Sequence, residues 1–320
     1  MESPGELSTD ERIIVVMGPT GVGKTTFINC VANRGDRGVG HGIESCTPEV
    51  SLVNVEHTVH GRKVVLVDTP GFDDTYKSDT EILTMIASFL VKTYTNNLKL
   101  DTILYLHRII DTRMTGSLLK NLKLFVSLCG VQSMPTVTIV TTMWSNANAE
   151  RGEDREQELK EKMWFDMIKN GCDVKQFTGT FESALEIIAP PTTTAPPKGP
   201  LLSTEIVTQK KKLKATAAGN ELSKEIKNLI KQRKEASRKL QELSKRSENE
   251  AGKRLLEQEL DETNQKIKRA NEQHAALKRN FFERFFGPKP EVSLVPHVGS
   301  TEQGQFQSSD ASTKATSRDA

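Results

Sequence analysis

Residues 18–25 have the sequence Gly-Pro-Thr-Gly-Val-Gly-Lys-Thr, and they join an apolar, β-branched run at 13–16 to a helical pattern that begins at Lys24. Glycines let the backbone of such a turn curl so that successive N–H groups point at one anion, at the positive end of the helix. The order of strand, Gly-rich turn and helix distinguishes a phosphate-binding loop from a chance match to G-x-x-x-x-G-K-[ST]. The alternative is a Gly-rich turn without a ligand. We predict a site for a nucleoside triphosphate.

The residue types of this loop suit phosphate and magnesium binding. Lys24 is predicted to reach the β- and γ-phosphates, and the Thr25 hydroxyl is predicted to ligate Mg²⁺. The other residues predicted to surround the phosphates are Gly18, Thr20, Gly21, Val22, Gly23 and Thr26.

Short apolar runs alternate with helical patterns from residue 11 to about residue 189, which indicates a mostly parallel α/β sheet. The predicted strands are 12–17, 50–59, 63–68, 102–107, 136–141 and 174–177. The predicted helices are 24–32, 79–94, 117–129, 154–169 and 182–189. A chain of 320 residues is long enough for this α/β domain and a second, smaller segment.

The C-terminal part of the chain has a different composition. The Pro-rich segment 190–204 is predicted to be an extended linker, because proline cannot continue a helix. Residues 205–286 lack proline, and their apolar residues recur in steps of three and four, which predicts a coiled coil. The two registers do not join across 247–252, which is either the turn of a helical hairpin or a skip in one long helix. The polar ends, 1–10 and 287–320, are predicted to be disordered.

Charge and cysteine content narrow the class of protein. The formal net charge of +2 gives no indication of a nucleic-acid partner. No apolar run reaches membrane-spanning length, and no signal peptide precedes the first predicted strand. The four cysteines show no C-x-x-C spacing. We therefore expect a cytoplasmic protein with no nucleic-acid partner and no membrane span.

A second motif, Asp-Thr-Pro-Gly at 68–71, follows the predicted strand 63–68. Asp68 at the end of such a strand can hold Mg²⁺ through a water, and the N–H of Gly71 can sense the γ-phosphate. The motif is common by itself, but its place after a phosphate loop makes it specific. Between the two motifs, Thr47 is predicted to close over the γ-phosphate and to give Mg²⁺ a second hydroxyl. The alternative for Thr47 is an ordinary turn residue.

These elements, in this order, resemble the septin-like and AIG/Toc-type GTPases, which include immunity-associated and plastid-import receptor GTPases. Three stretches resemble a fungal group of AIG-like G-domain proteins with coiled-coil C-termini. They are Asp-Thr-Pro-Gly-Phe-Asp-Asp-Thr at 68–75, Tyr-Leu-His-Arg-Ile-Ile-Asp-Thr-Arg at 105–113 and Thr-Thr-Met-Trp at 141–144. The resemblance covers about 11–189. It implies a P-loop NTPase G domain that binds GTP with Mg²⁺, hydrolyses it slowly and forms a homodimer across the nucleotide face.

Two arginines, Arg108 and Arg113, follow the fourth predicted strand. In plastid-import receptor GTPases a segment of this kind reaches the nucleotide of a partner subunit. The resemblance therefore implies that Arg113 is a catalytic arginine supplied in trans, with Arg108 as the second candidate. The alternative is an intramolecular Arg–Asp pair that holds the loop, with Asp111 as the acid.

The residues that would read the base depart from the usual pattern. Guanine specificity usually rests on N-K-x-D, but Thr-Met-Trp-Ser stands at 142–145, after the fifth predicted strand. Glu182, after the sixth strand, is a candidate to accept hydrogen bonds from guanine N1 and N2. The alternative for Glu182 is an acidic residue of a first helical turn. Trp144 is either an apolar lid over the base or a core residue. An ATPase is therefore an alternative to a GTPase.

A water-orienting glutamine is also missing, because Phe72 follows the Asp-Thr-Pro-Gly motif. Asp73 or Asp74 either assists the attacking water or is a solvated loop acid. Positioning the water is much of what a protein contributes to phosphoryl transfer, so we expect slow turnover. The sequence predicts a nucleotide-gated assembly switch that dimerises through the G domain, the coiled coil or both. The alternative is a non-hydrolysing nucleotide-binding scaffold whose coiled coil binds other proteins.

Overall fold

The structure is a computed structural model, and it describes residues 7–33, residues 49–189 apart from positions 57, 59, 60 and 75, and residues 199–246 and 250–279. Four predicted segments therefore lie wholly or partly outside the described residues: the two polar ends, the linker and the register break of the coiled coil. Within the described residues six strands form one sheet. They are β1 (Arg12–Met17), β2 (Ser51–Asn54), β3 (Val64–Asp68), β4 (Leu100–Arg108), β5 (Val137–Thr142) and β6 (Asp173–Gln176).

The strand order across the sheet is β2-β3-β1-β4-β5-β6. β2 pairs antiparallel with β3, and the other neighbouring pairs are parallel, which confirms the predicted mostly parallel sheet. In the centre, Ile14 of β1 lies opposite Leu66 of β3 on one side and Thr102 of β4 on the other. The carboxyl ends of these parallel strands therefore meet at one edge of the sheet, where ligands bind in α/β folds.

Helices cover both faces of the sheet. They are α1 (Lys24–Val31), α2 (Asp79–Thr95), α3 (Gly116–Cys129), α4 (Ala149–Lys162), α5 (Phe165–Lys169) and α6 (Phe181–Ile188). On one face, Phe27 of α1 and Ile187 of α6 pack against Ile14 of β1. On the other face, α2 and α3 pack against Ile13 and Val15. Alternate residues of β1 thus point into two cores, and all of β1 is buried.

Two predicted elements differ from the structure. The predicted strand 50–59 is shortened to Ser51–Asn54. The predicted helix 154–169 is two helices, α4 and α5, because the chain bends at Trp164 to bury its indole completely. The Trp164 ring packs edge-on against His107 of β4, with ring centroids 5.4 Å apart. At this point the free energy gained by burying one large aromatic side chain is greater than the free energy lost by interrupting the helical hydrogen bonds.

The C-terminal segment also differs from the prediction where it meets the sheet domain. Residues 201–208, predicted as linker and coiled coil, form the short helix α7 (Leu201–Ser203) and a π-helical turn (Thr204–Thr208). Leu202 and Ile206 are 0% and 1% exposed and belong to the core that contains α2 and α3. These apolar side chains keep the segment on the domain, because its helices would otherwise expose them to water.

Two long helices follow, α8 (Ala217–Arg246) and α9 (Glu250–Arg279). They contact each other, α8 also contacts α3, and α9 contacts α2 and the 3₁₀ turn Leu213–Ala215 that precedes α8. Because α9 returns to the start of α8, the two described helices run antiparallel within one chain, as the hairpin alternative expects. The coiled coil itself stays a prediction. None of the described helices has the length and apolar composition needed to cross a membrane.

Candidate functional site

The phosphate-binding loop lies at the carboxyl end of β1, as predicted. All six residues of β1 are buried, and helix α1 begins at Lys24. Gly23 is the N-cap residue of α1 and has φ of 90° and ψ of 22°. This left-handed conformation is costly for residues with a Cβ, so glycine lets the chain turn directly from the strand into the helix. The result is a helix N-terminus whose first N–H groups face the turn.

Lys24 lies inside this turn and is 7% exposed. Its Nζ donates to the carbonyl oxygens of Pro19 (2.9 Å) and Gly18 (3.3 Å). Burial lowers the pKa of Lys24 from 10.5 to about 8, against the smaller opposing effects of Asp68 and Asp74. A cation with so little water around it gains more from an arriving phosphate than an exposed lysine does.

The Asp-Thr-Pro-Gly motif lies directly on the phosphate-binding loop. The Thr20 N–H donates to the Phe72 carbonyl (2.9 Å), and the Phe72 N–H donates to the Gly18 carbonyl (3.3 Å). A Cβ at Gly71 would lie 2.5 Å from Thr20 Oγ1 and 2.7 Å from Lys24 Nζ. Because real Cβ atoms do not approach other atoms so closely, no other residue fits at 71 in this arrangement. The structure thus brings the two predicted motifs together.

The described residues fit a Mg²⁺–triphosphate group. Thr20 Oγ1 is inaccessible to water and has no hydrogen-bond partner among the described residues. Asp68 lies at the end of β3 and is 6% exposed, and Thr25 stands at the start of α1. Within the described part of the chain no three acidic, histidine or cysteine side chains are grouped to hold a metal. A magnesium ion there would therefore need phosphate oxygens as ligands in addition to Thr25 and Asp68. Thr47 lies outside the described residues.

The two arginines after β4 differ in their surroundings. Arg108 pairs with Asp111 through two contacts, Nη2 to Oδ1 at 3.0 Å and Nε to Oδ2 at 3.1 Å. This is the intramolecular pair that the sequence left open, and it holds the Arg108 guanidinium 3.8 Å from the Cβ position of Gly21. Arg113 is exposed on the same loop. The structure therefore fixes Arg108 against its own phosphate-binding loop and leaves Arg113 facing solvent.

The carboxyl end of β5 is tied to the phosphate-binding loop by a residue to which the sequence analysis gave no role. Thr142 Oγ1 donates to the Val22 carbonyl at 2.8 Å. The sequence signal that could have pointed to Thr142 is its position, because Thr142 stands where the N-K-x-D motif has its Asn. Trp144 is half-buried, and its Nε1–H donates to the Thr141 carbonyl at 3.2 Å and to Thr141 Oγ1 at 3.1 Å. Its ring lies against Gly152 of α4.

Glu182 is exposed in the first turn of α6. The pKa of the Cys30 thiol in α1 is raised, mainly by burial and also by the charge of Glu182. Glu182 therefore lies near α1. Contact of Glu182 with a base stays a prediction.

The acidic residues after Phe72 form hydrogen bonds close by in the sequence. Asp74 Oδ1 accepts from the N–H groups of Tyr76 (2.8 Å) and Lys77 (2.9 Å). Asp73 is exposed, and its own N–H donates to Asp79 at 3.0 Å. Phe72 is fully buried. These contacts favour the alternative in which Asp73 and Asp74 are loop acids and do not assist the attacking water. The side chain of Phe72 has no polar group that could orient that water.

The chain is similar in part to known GTPases. Residues 13–141 match the family model described as 50S ribosome-binding GTPase. A comparison with curated protein sequences found no match.

Toc33 of Arabidopsis thaliana in complex with Mg²⁺ and GMPPNP is 19% identical, over 54% of this chain and 72% of that chain, with a TM-score of 0.41. A dimerization-deficient Toc33 mutant is also 19% identical, over 52% and 70%, with a TM-score of 0.42. The elongation factor SelB of Methanococcus maripaludis, in complex with the GTP analogue GPPNHP, is 11% identical. That match covers 57% of this chain and 32% of SelB, with a TM-score of 0.36. The sheet order, the phosphate-binding loop and the family match together show that residues 12–188 have the fold of a P-loop GTPase G domain.

Proposed function

We propose that the chain binds GTP with Mg²⁺, hydrolyses it slowly to GDP and phosphate, and pairs with a second copy in a nucleotide-dependent manner. The observation that carries the proposal is the cradle formed by Lys24, Thr20 and Gly71 at the helix N-terminus. The family match over residues 13–141 favours GTP as the nucleotide. Cys30, Cys129 and Cys172 are free thiols within the described residues, which favours a reducing, cytoplasmic setting.

In this proposal each group acts on the phosphates or the metal. Lys24 binds the β- and γ-phosphates, and the N–H of Gly71 contacts the γ-phosphate. Thr25, Thr47 and Asp68 hold Mg²⁺, which neutralises phosphate charge. Turnover is slow because Phe72 is buried and leaves water positioning to weaker groups.

Nucleotide binding tests the site first. Lys24→Met keeps the apolar stem of the side chain and removes the charge, so affinity for a fluorescent GTP analogue should be lost. Lys92→Met, at an exposed lysine of α2, is the matched control and should bind normally. Thr25→Ala should weaken only the Mg²⁺-dependent part of the affinity. Undiminished binding by Lys24→Met would contradict the assignment.

The choice of base is tested at Glu182. A carboxylate that accepts from guanine N1 and N2 leaves adenine unpaired, which corresponds to about 1–3 kcal/mol, or roughly ten- to a hundred-fold in affinity. Glu182→Gln should shrink the ratio of GTP to ATP affinity, and Glu186→Gln, at another exposed residue of α6, should not. Equal affinities in the wild type would favour an ATPase. Binding without phosphate release would favour the non-hydrolysing scaffold, which the buried Phe72 also supports.

Arg113 is proposed to act in trans on the nucleotide of a second copy. Its exposure permits this, whereas Arg108 is engaged by Asp111. A catalytic arginine is worth on the order of 10³-fold or more in turnover. The full chain should be used, because core residues such as Leu202 lie beyond the last helix of the G domain.

A mixing experiment separates the trans role from a structural one. Arg113→Ala binds GTP but lacks the arginine, and Lys24→Met has the arginine but does not bind GTP. Adding Lys24→Met chain should restore turnover to Arg113→Ala chain, whereas the Lys24→Met/Arg113→Ala double variant should not. Arg108→Ala in place of Arg113→Ala shows which arginine is needed. Turnover that is independent of protein concentration and unchanged in Arg113→Ala would leave Arg113 without a catalytic role.

A further inference from the structure

The hydroxyl of Thr20 is a buried polar group of this site. Thr20 Oγ1 is shielded from water and has no hydrogen-bond partner among the described residues. A buried hydroxyl that makes no hydrogen bond destabilises a folded protein, whereas valine has the same shape and carries no such penalty. Such a group in a native site calls for a partner that arrives from outside the chain.

The position of this hydroxyl is fixed by the backbone on both sides. The Thr20 N–H donates to the Phe72 carbonyl at 2.9 Å, and Pro19 forms a parallel bridge with Phe72. This pairing sets Thr20 Oγ1 against Gly71. Lys24 Nζ lies against the same side of Gly71, so the hydroxyl and the ammonium are both next to this residue. Lysine at this position of a P-loop contacts the β- and γ-phosphates, so the Thr20 hydroxyl lies at the γ-phosphate end of the site.

The other candidates for orienting water have other contacts. The side chain of Phe72, which stands in place of the usual glutamine, is fully buried and apolar. Asp74 Oδ1 accepts from two backbone N–H groups of its own loop. Asp73 is exposed. Thr20 therefore carries a polar side-chain atom that is buried and adjacent to Gly71 and Lys24, whereas the buried carboxylate of Asp68 is assigned to Mg²⁺.

We propose that Thr20 is a catalytic residue whose hydroxyl, once a bound triphosphate separates Gly71 from Lys24, accepts a hydrogen bond from the water that attacks the γ-phosphate. The inference rests on the proposed GTPase function. The oxygen of the attacking water forms a bond to the γ-phosphorus, and the bond from that phosphorus to the β–γ bridging oxygen breaks. GDP leaves with the bridging oxygen, and the released proton passes to the phosphate product. Thr20 is not a base in this step; it holds the water in line, as its two acceptor lone pairs allow.

The test compares Thr20→Val, which keeps the shape, with Thr20→Ser, which keeps the hydroxyl. One hydrogen bond made in the transition state corresponds to about tenfold in rate. Thr20→Val should therefore lower kcat about tenfold or more and bind GDP normally, and Thr20→Ser should retain most of the wild-type rate. Thr95→Val, at an exposed threonine near the end of α2, is the matched control and should change neither quantity.

Two measurements do not depend on turnover. The affinity of Thr20→Val for GDP with aluminium fluoride, which mimics the transferring phosphoryl group, should fall about tenfold relative to its affinity for GDP. The midpoint of urea unfolding of the nucleotide-free Thr20→Val chain should be unchanged or higher, because the hydroxyl has no partner to lose within the part of the chain that the structure describes.

The outcomes separate this proposal from the proposed function. Wild-type turnover with an unchanged kcat in Thr20→Val would overturn the role of Thr20 alone. Loss of both GDP affinity and folding stability in Thr20→Val would show that the hydroxyl is structural, and it would also overturn the proposal. A wild-type chain that binds GTP and releases no phosphate would overturn this proposal and GTP hydrolysis together.

Discussion

The ionisation of Lys24 makes a quantitative prediction for nucleotide binding. In the nucleotide-free chain the pKa of Lys24 is lowered from 10.5 to about 8 by burial. Phosphate oxygens favour the charged ammonium, so the bound complex keeps the proton to higher pH. Binding above pH 8 therefore takes up a proton, and affinity falls as pH rises. Between pH 7 and pH 8.8 the dissociation constant for GTP should rise about sevenfold, and at pH 8 about half a proton should be taken up for each GTP bound.

Calorimetric titration in two buffers with different ionisation enthalpies measures this proton uptake directly. The range from pH 7 to pH 8.8 lies below the pKa of the guanine base, so ionisation of the base contributes little to the measured proton uptake. Cys30 in α1 serves as a control, because the pKa of its thiol is raised from 9.0 by burial and by Glu182, so the thiol stays protonated over this pH range. Cys30→Ser should leave the uptake unchanged. A dissociation constant that does not vary from pH 7 to pH 8.8, with no proton taken up, would refute the argument that Lys24 is the buried cation of the phosphate site.

Three further outcomes are expected. Gly71→Ala places a methyl group 2.5 Å from the Thr20 hydroxyl, so it should lower GTP affinity and destabilise the fold by about 1–3 kcal/mol in urea unfolding. A Cβ at Gly116 meets nothing within 4 Å, and Gly116→Ala should do neither. Burial lowers the pKa of His107 from 6.5 to about 4. The contribution of neutral His107 to folding stability is therefore fully present above pH 6.5 and is lost as pH falls through 4, by up to about 3 kcal/mol. His107→Phe should remove this part of the decrease in unfolding free energy at low pH. Thr142→Val removes the hydrogen bond that ties β5 to the phosphate-binding loop and leaves the Val22 carbonyl without this donor, so it should weaken GTP binding about tenfold and lower the free energy of unfolding by about 1–3 kcal/mol; normal GTP binding would show that the tie is dispensable.

The parts of the site that are contiguous in sequence were predictable. The phosphate-binding loop and the start of α1 occupy neighbouring positions, and their conformation follows from glycine at Gly23 and from the flanking strand and helix patterns. Most strands also followed from local runs of β-branched apolar residues bounded by turns, but the strand predicted at 50–59 spans only Ser51–Asn54. The bend at Trp164 was missed, since it depends on packing of the Trp164 ring against His107, a contact that exists only in the folded domain.

Tertiary structure decided which groups meet. Thr142 reaches the Val22 carbonyl across 120 positions of sequence, and Phe72 pairs with the phosphate-binding loop across more than 50. Neither contact leaves a local pattern, because each depends on strand order in the sheet. The same holds for Leu202, which joins the core of the G domain although it follows a Pro-rich stretch. Sequence determined a triphosphate-binding loop because one short segment supplies its geometry, and the order of the two motifs predicted that Gly71 and Lys24 meet at the γ-phosphate. Only the fold decided that the Thr20 hydroxyl is buried against Gly71, because that contact depends on the pairing of Pro19 with Phe72.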